Sequence, residues 1–108
     1  MKPTTKNIIN KNTSFEKYKK EITKILRVYH IQQAALFGSV ARGEQTKKSD
    51  IDLLIKTNGK MTLFQLFQMQ EDIEKVISRK VDIVEYEAIK PSLKDRILND
   101  AIQIYEAR

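Results

Sequence analysis

A small mixed β-sheet with helices packed on it, an α/β (α+β) class fold, is what these 108 residues predict. Three observations carry the prediction. Stretches with apolar residues at helical spacing alternate with short apolar runs, in the order helix, strand, strand, helix, strand, helix, strand. Two capping boxes, Thr13-x-x-Glu16 and Thr62-x-x-Gln65, mark helix starts. The length is that of one domain, and with 41% hydrophobic residues but only 3 Gly and 2 Pro it can bury one core.

The elements follow in order. Residues 1–12 are polar and rich in Lys, Asn and Thr, which predicts a flexible basic tail ahead of a domain at 13–108. Phe15, Tyr18, Ile22, Ile25, Leu26 and Tyr29 keep helical spacing, so a helix is expected over about 14–30. Ala34-Ala35-Leu36-Phe37 reads as a buried strand halted at Gly38-Ser39. Residues 40–50, charged and containing Gly43, suit a short helical turn and a loop. Residues 51–57 form the second strand, closed by the turn pair Asn58-Gly59. From Thr62 to about Ser78, Leu63, Leu66, Phe67, Ile73, Val76 and Ile77 trace an amphipathic helix. Residues 81–86 alternate apolar and acidic, the pattern of a half-exposed strand. Pro91 opens a last helix through about Asn99, with Leu93, Ile97 and Leu98 expected inward, and residues 101–105 suit a closing edge strand.

Charge is unevenly placed. The formal charge is +6, but Lys2, Lys6, Lys11, Lys17, Lys19 and Lys20 face only Glu16 within the first twenty residues, so the rest is close to neutral. A nucleic-acid-binding domain spreads positive charge over its docking face, so nucleic acid is not the expected partner. Zero cysteines exclude a disulfide scaffold and any cysteine-bound metal. No apolar run is long enough to cross a bilayer, and no signal-peptide core follows Met1, so a cytoplasmic domain without a membrane association is expected.

Strands are depleted in aspartate, yet Asp52 lies inside the second strand and Asp82 inside the third. Asp50 precedes Asp52 by two residues, so their side chains share one face. Singly, each acid has an ordinary explanation: Asp50 as a loop cap, Asp52 facing water, Asp82 on the surface. If strands two and three are neighbours, all three converge, and like charges so close resist ionising unless a cation lies between them. Magnesium takes such oxygen donors, and a pair of such ions clamps the attacking and leaving oxygens in nucleotidyl transfer. Upstream, Gly38 lets a backbone N–H approach a ligand oxygen, Ser39 adds a hydroxyl donor, and Arg42 can reach the same phosphates or pair with Glu44.

Gly38-Ser39-Val40-Ala41-Arg42-Gly43-Glu44, then Ser49-Asp50-Ile51-Asp52-Leu53, then Val81-Asp82-Ile83-Val84 resemble the nucleotidyltransferase superfamily that includes DNA polymerase beta and kanamycin nucleotidyltransferase. The resemblance is closest to its minimal single-domain members, the MNT (MntA-type) antitoxins of HEPN/MNT toxin–antitoxin systems, and runs from about residue 20 to the end. It implies a polymerase beta palm-like fold. It implies that Asp50 and Asp52 bind two Mg2+ ions, that Asp82 binds the catalytic one and helps activate the acceptor hydroxyl, and that Gly38 and Ser39 hold the triphosphate with Arg42 and Ser49 in support. The implied reaction transfers AMP from ATP to a hydroxyl, in the MNT antitoxins a tyrosine of the HEPN RNase toxin.

Size agrees with a protein acceptor, because the chain has no second domain to hold a different one. Phe64 and Met69 either complete the core of a thin domain or lie at a partner or self-association surface, homo- or hetero-oligomeric. His30, the only histidine, is expected at the C-terminal end of the first helix. Two other readings stay open on the residues alone: a binding module that neutralises its partner by contact, and nucleotidyl transfer to a small molecule or an RNA end.

Overall fold

A computed structural model describes residues 15–42 and 50–107. The expectations on the tail at 1–12, the capping box at Thr13 and the residue Ser49 lie outside them. Helix α1 spans Phe15–Val28, strand β1 Gln33–Phe37, the short helix α2 Gly38–Ala41, strand β2 Ile51–Lys56, helix α3 Leu63–Ile77 and strand β3 Val81–Glu85. A 3-10 turn at Tyr86–Ala88 leads to helix α4, Pro91–Asp100, and strand β4, Ile102–Glu106. The expected element order holds.

The sheet runs β3-β2-β1-β4. β1 is antiparallel to both its neighbours, and β2 is parallel to β3 through α3. Parallel neighbours need such a crossover. One face is the core: Ala34 and Leu36 of β1, Ile51, Leu53 and Ile55 of β2, Val81 of β3 and Ile102 and Ile104 of β4 meet Ile22 and Leu26 of α1 and Met69, Ile73 and Ile77 of α3. Because strand side chains alternate, Asp52, Leu54 and Lys56 point to the other face.

Helix ends explain the boundaries. α1 stops short of the expected Tyr29–His30 because His30 takes a left-handed φ of 60°. Ile31 N–H then donates to Leu26 C=O at 3.0 Å and His30 N–H to Arg27 C=O at 3.0 Å, a Schellman motif with histidine in the usual glycine place. α3 starts on the expected box: Gln65 N–H donates to Thr62 Oγ1 at 3.1 Å, and Thr62 N–H donates to Gln65 Oε1 at 2.9 Å. Pro91 occupies the first turn of α4.

Packing departs from expectation on both α3 and α4. Leu63, Phe67 and Val76, expected on the apolar face of α3, are exposed. Leu93 and Leu98 are 43% and 38% exposed, not inward, because α4 lies against β1 and α2 and not between two layers. Met69 is fully buried and belongs to the core, whereas Phe64 is 76% exposed. Among the described residues no helix is long and apolar enough to cross a membrane.

Candidate active site

The site grows from the register of three strands. Asp52 is paired with Phe37 of β1 on one side and with Asp82 of β3 on the other. Matched positions on adjacent strands share a face and lie about 4.8 Å apart across the sheet. Ile51 N–H donates to Lys80 C=O at 2.9 Å, which extends the β2–β3 ladder to the residue beside Asp50. Two of the acids expected to converge are therefore neighbours, and Asp50 stands two residues upstream on the same face. Asp50 and Asp82 are exposed; Asp52 is half-buried.

Asp52 is electrostatically the distinctive member. Burial first, then the charges of Asp82 and of Asp50, hold its carboxyl above its ordinary value, while the nearby Arg42 guanidinium pulls the other way. Among the described residues no three carboxylates are already closed into a metal-ligand cluster. The donor set nevertheless fits a hard divalent cation: oxygen ligands only, grouped on one strand pair, with a central carboxyl that nearby positive charge would favour in its ionised form.

Gly38 gives a second sign that this corner is built around Asp52. Its φ is +76°, and a Cβ added there would collide with Oδ2 of Asp52 and stand 3.2 Å from its Cγ. Only glycine combines that backbone with that clearance. The turn leaving β1 therefore abuts the carboxylate on β2. Ser39 is the next residue of α2, which places its backbone at the same corner.

Arg42 follows α2, its N–H donating to Gly38 C=O at 3.1 Å. Its guanidinium donates from Nη1 to Asp100 Oδ2 at 2.6 Å. No motif in the sequence points to Asp100, and the alternative partner Glu44 lies outside the described residues. A signal existed: an acid in the last turn of a helix opposes the dipole, so Asp100 at the end of α4 needed another reason to be there.

Comparison with known proteins agrees with this architecture. Residues 20–108 match the family described as polymerase beta, nucleotidyltransferase. A candidate protein adenylyltransferase of Methanocaldococcus jannaschii is 40% identical over 86 residues, covering 80% of this chain and 92% of that one. Among solved structures, a candidate minimal nucleotidyltransferase superposes with a TM-score of 0.75 at 28% identity, covering 82% of this chain and 91% of that one. A toxin–antitoxin crystallised with AMP-PNP has a TM-score of 0.73 at 22% identity, covering 83% and 74%. The tri-AMPylated Shewanella oneidensis HEPN toxin in complex with its MNT antitoxin has a TM-score of 0.68 at 18% identity, covering 85% and 72%. These last two likenesses speak for the fold alone. A family match across nearly all described residues and a relative of such identity and coverage lead to one conclusion: the chain belongs to the polymerase beta-type nucleotidyltransferase family.

Proposed function

We propose that the protein is a magnesium-dependent nucleotidyltransferase that moves AMP from ATP to a tyrosine hydroxyl of a partner protein, and that by doing so it acts as the antitoxin of a HEPN-type RNase. The observation that carries the proposal is the Asp52–Asp82 register pair, with Asp50 beside it and Gly38 packed against the Asp52 carboxylate. Asp50, Asp52 and Asp82 would hold magnesium, which would supply Lewis-acid stabilisation of charge on the α-phosphate and on the departing pyrophosphate.

The chain's own residues then divide the remaining work. Gly38 and Ser39 receive the triphosphate at the turn between β1 and α2. Arg42, oriented by Asp100, faces the phosphates, and Ser49 supports them. The acceptor oxygen attacks the α-phosphorus, the bond from that phosphorus to the bridging oxygen of the β-phosphate breaks, and the hydroxyl proton goes to Asp82. The products are an adenylylated hydroxyl and pyrophosphate.

The choice of a protein acceptor is supported by the Methanocaldococcus relative, a candidate protein adenylyltransferase, and the choice of a HEPN partner by the Shewanella complex of such a toxin with an MNT antitoxin. The test uses ATP labelled at the α-phosphate, magnesium and an extract of the source organism, comparing wild type with the double variant Asp50→Asn/Asp52→Asn. One labelled protein band, lost in the variant, is the expected result. Label in RNA or in a small molecule would overturn the antitoxin reading and keep the enzyme. No label in any fraction would move the assignment to a binding module.

A further inference from the structure

On β2 the row of side chains that holds Asp52 runs on, through Leu54 and Lys56, to a part of the sheet face that the transfer reaction alone does not account for. A pocket of about 310 Å³ lies on the same sheet face, bordered by Ala35, Leu54, Lys56, Tyr86, Leu98 and Gln103. Leu54 and Lys56 follow Asp52 at every second position of β2, so the pocket continues from the acid site along the strand. Its floor is apolar and its side is the exposed Leu98 of α4. Its far end is cationic: Lys56, in the lining, has Nζ 5.5 Å from the centre of the Tyr86 ring, and Lys94, next to the lining, has Nζ 4.6 Å from the same ring. Among the described residues neither ammonium has a carboxylate within 4.0 Å.

We propose that this groove seats the acceptor segment of the substrate polypeptide in extended form, with acidic residues of that segment against Lys56 and Lys94. The inference rests on the adenylyl-transfer reading for its occupant and adds what that reading leaves open, the sequence around the acceptor hydroxyl. From Asp52 to Lys56 the strand rises about 13 Å, the length of about four extended residues. An acceptor placed at Asp52 thus brings residues two to four positions away over Tyr86 and the two lysines. A nucleoside would fill the apolar floor, but adenine and ribose carry no negative charge to meet two ammoniums that share only the Tyr86 ring. An acidic peptide meets both features.

The test reads binding and not catalysis, so its failure is distinct from failure of the transfer reaction. Backbone amide shifts of 15N-labelled protein are followed during titration with acetyl-Glu-Glu-Ala-Tyr-Ala-Glu-Glu-amide, with its Lys-for-Glu counterpart, with adenosine and with a short oligoadenylate. The acidic peptide is expected to shift Ala35, Leu54, Lys56, Tyr86, Leu98 and Gln103 and to bind roughly tenfold more tightly than the basic one, the ratio that two exposed ion pairs near the upper end of their usual strength produce. Lys56→Glu and, separately, Lys94→Glu should each reduce that ratio, with the remaining spectrum unchanged as evidence of folding. No shifts at these residues, equal binding of both peptides, or a ratio unaltered in both variants would overturn the proposal. So would adenosine or the oligonucleotide shifting the same residues more strongly than the acidic peptide does.

Discussion

Replacing Gly38 by alanine separates what the backbone needs at this turn from what the Asp52 carboxylate needs. Two effects act at once. The left-handed φ of +76° disfavours any residue with a Cβ by about 1–2 kcal/mol, which lowers Tm by roughly 4–8 °C for each kcal/mol in a domain near this size. The new methyl group also overlaps Oδ2 of Asp52 and crowds its Cγ at 3.2 Å and its Cβ at 3.4 Å. The carboxylate oxygen therefore has to leave its place, and Cγ has to give by a few tenths of an ångström as well. A displacement of about 1 Å at a reacting centre costs on the order of 100-fold in rate. Gly59 supplies the control, because its φ is +84° with nothing within 4 Å of an added Cβ. Gly59→Ala should show the stability loss alone, while Gly38→Ala should show a comparable loss and a fall of about 100-fold in kcat/KM for α-phosphate transfer. Thermal melts and labelled-ATP kinetics on both variants make the comparison. Equal activity in the two variants would refute the assignment of this turn to the active site.

Three more outcomes follow from the geometry. Asp52 holds its proton more tightly in the fold than in the unfolded chain, through burial and then the charges of Asp82 and Asp50; its ionised form works against the fold, with no effect below the ordinary value of 3.8 and the full effect once the pH exceeds the raised one. Asp52→Asn should therefore abolish transfer yet raise Tm at about pH 7, with the gain vanishing at about pH 3; an unchanged Tm at neutral pH would contradict the electrostatics. The Tyr29 hydroxyl donates to Asp72 Oδ2 at 2.7 Å, and burial followed by that hydrogen bond and the Asp72 charge push its pKa up to about 12. Because the unfolded chain ionises this phenol first, stability should fall as pH rises from about 10 to about 12. Ultraviolet titration should show a late phase from Tyr29, which Tyr29→Phe removes at a stability cost of about 1–2 kcal/mol. Arg42→Ala should raise KM for ATP about tenfold with a smaller change in kcat, and it should change stability by less than about 1 kcal/mol, since its pair with Asp100 is partly exposed.

Local signals were the legible ones. The Thr62–Gln65 box, Pro91 at the head of α4 and the Asn58-Gly59 turn each act within a few residues, so the element order could be read directly. Asp52 and Asp82 stood out because strands avoid aspartate, but their pairing depended on β2 and β3 being neighbours, which only the sheet order decides. Long-range facts were not legible. That Gly38 clears space for Asp52 depends on the β1–β2 register, and that Arg42 meets Asp100 depends on where α4 lies. Periodicity points Leu93 and Leu98 inward because it assumes a helix covered on one face; α4 instead leaves both exposed, with Leu98 on the wall of a groove. His30 ends α1 two residues early because a left-handed conformation is uncommon for histidine, and nothing in its neighbours announces it.

If the α-phosphorus of ATP is the atom transferred, label placed at either end of the triphosphate has two different fates. The wild-type protein, magnesium and its captured partner are incubated with ATP labelled at the α-phosphate or at the γ-phosphate. Adenylyl transfer labels the partner from the α-position alone, with the γ-label recovered in pyrophosphate, and Asp52→Asn gives neither outcome. Partner label from the γ-position, or free phosphate from the γ-position without pyrophosphate, would contradict it, because a phosphoryl-transfer or hydrolytic site would then occupy the face that Asp50, Asp52 and Asp82 share.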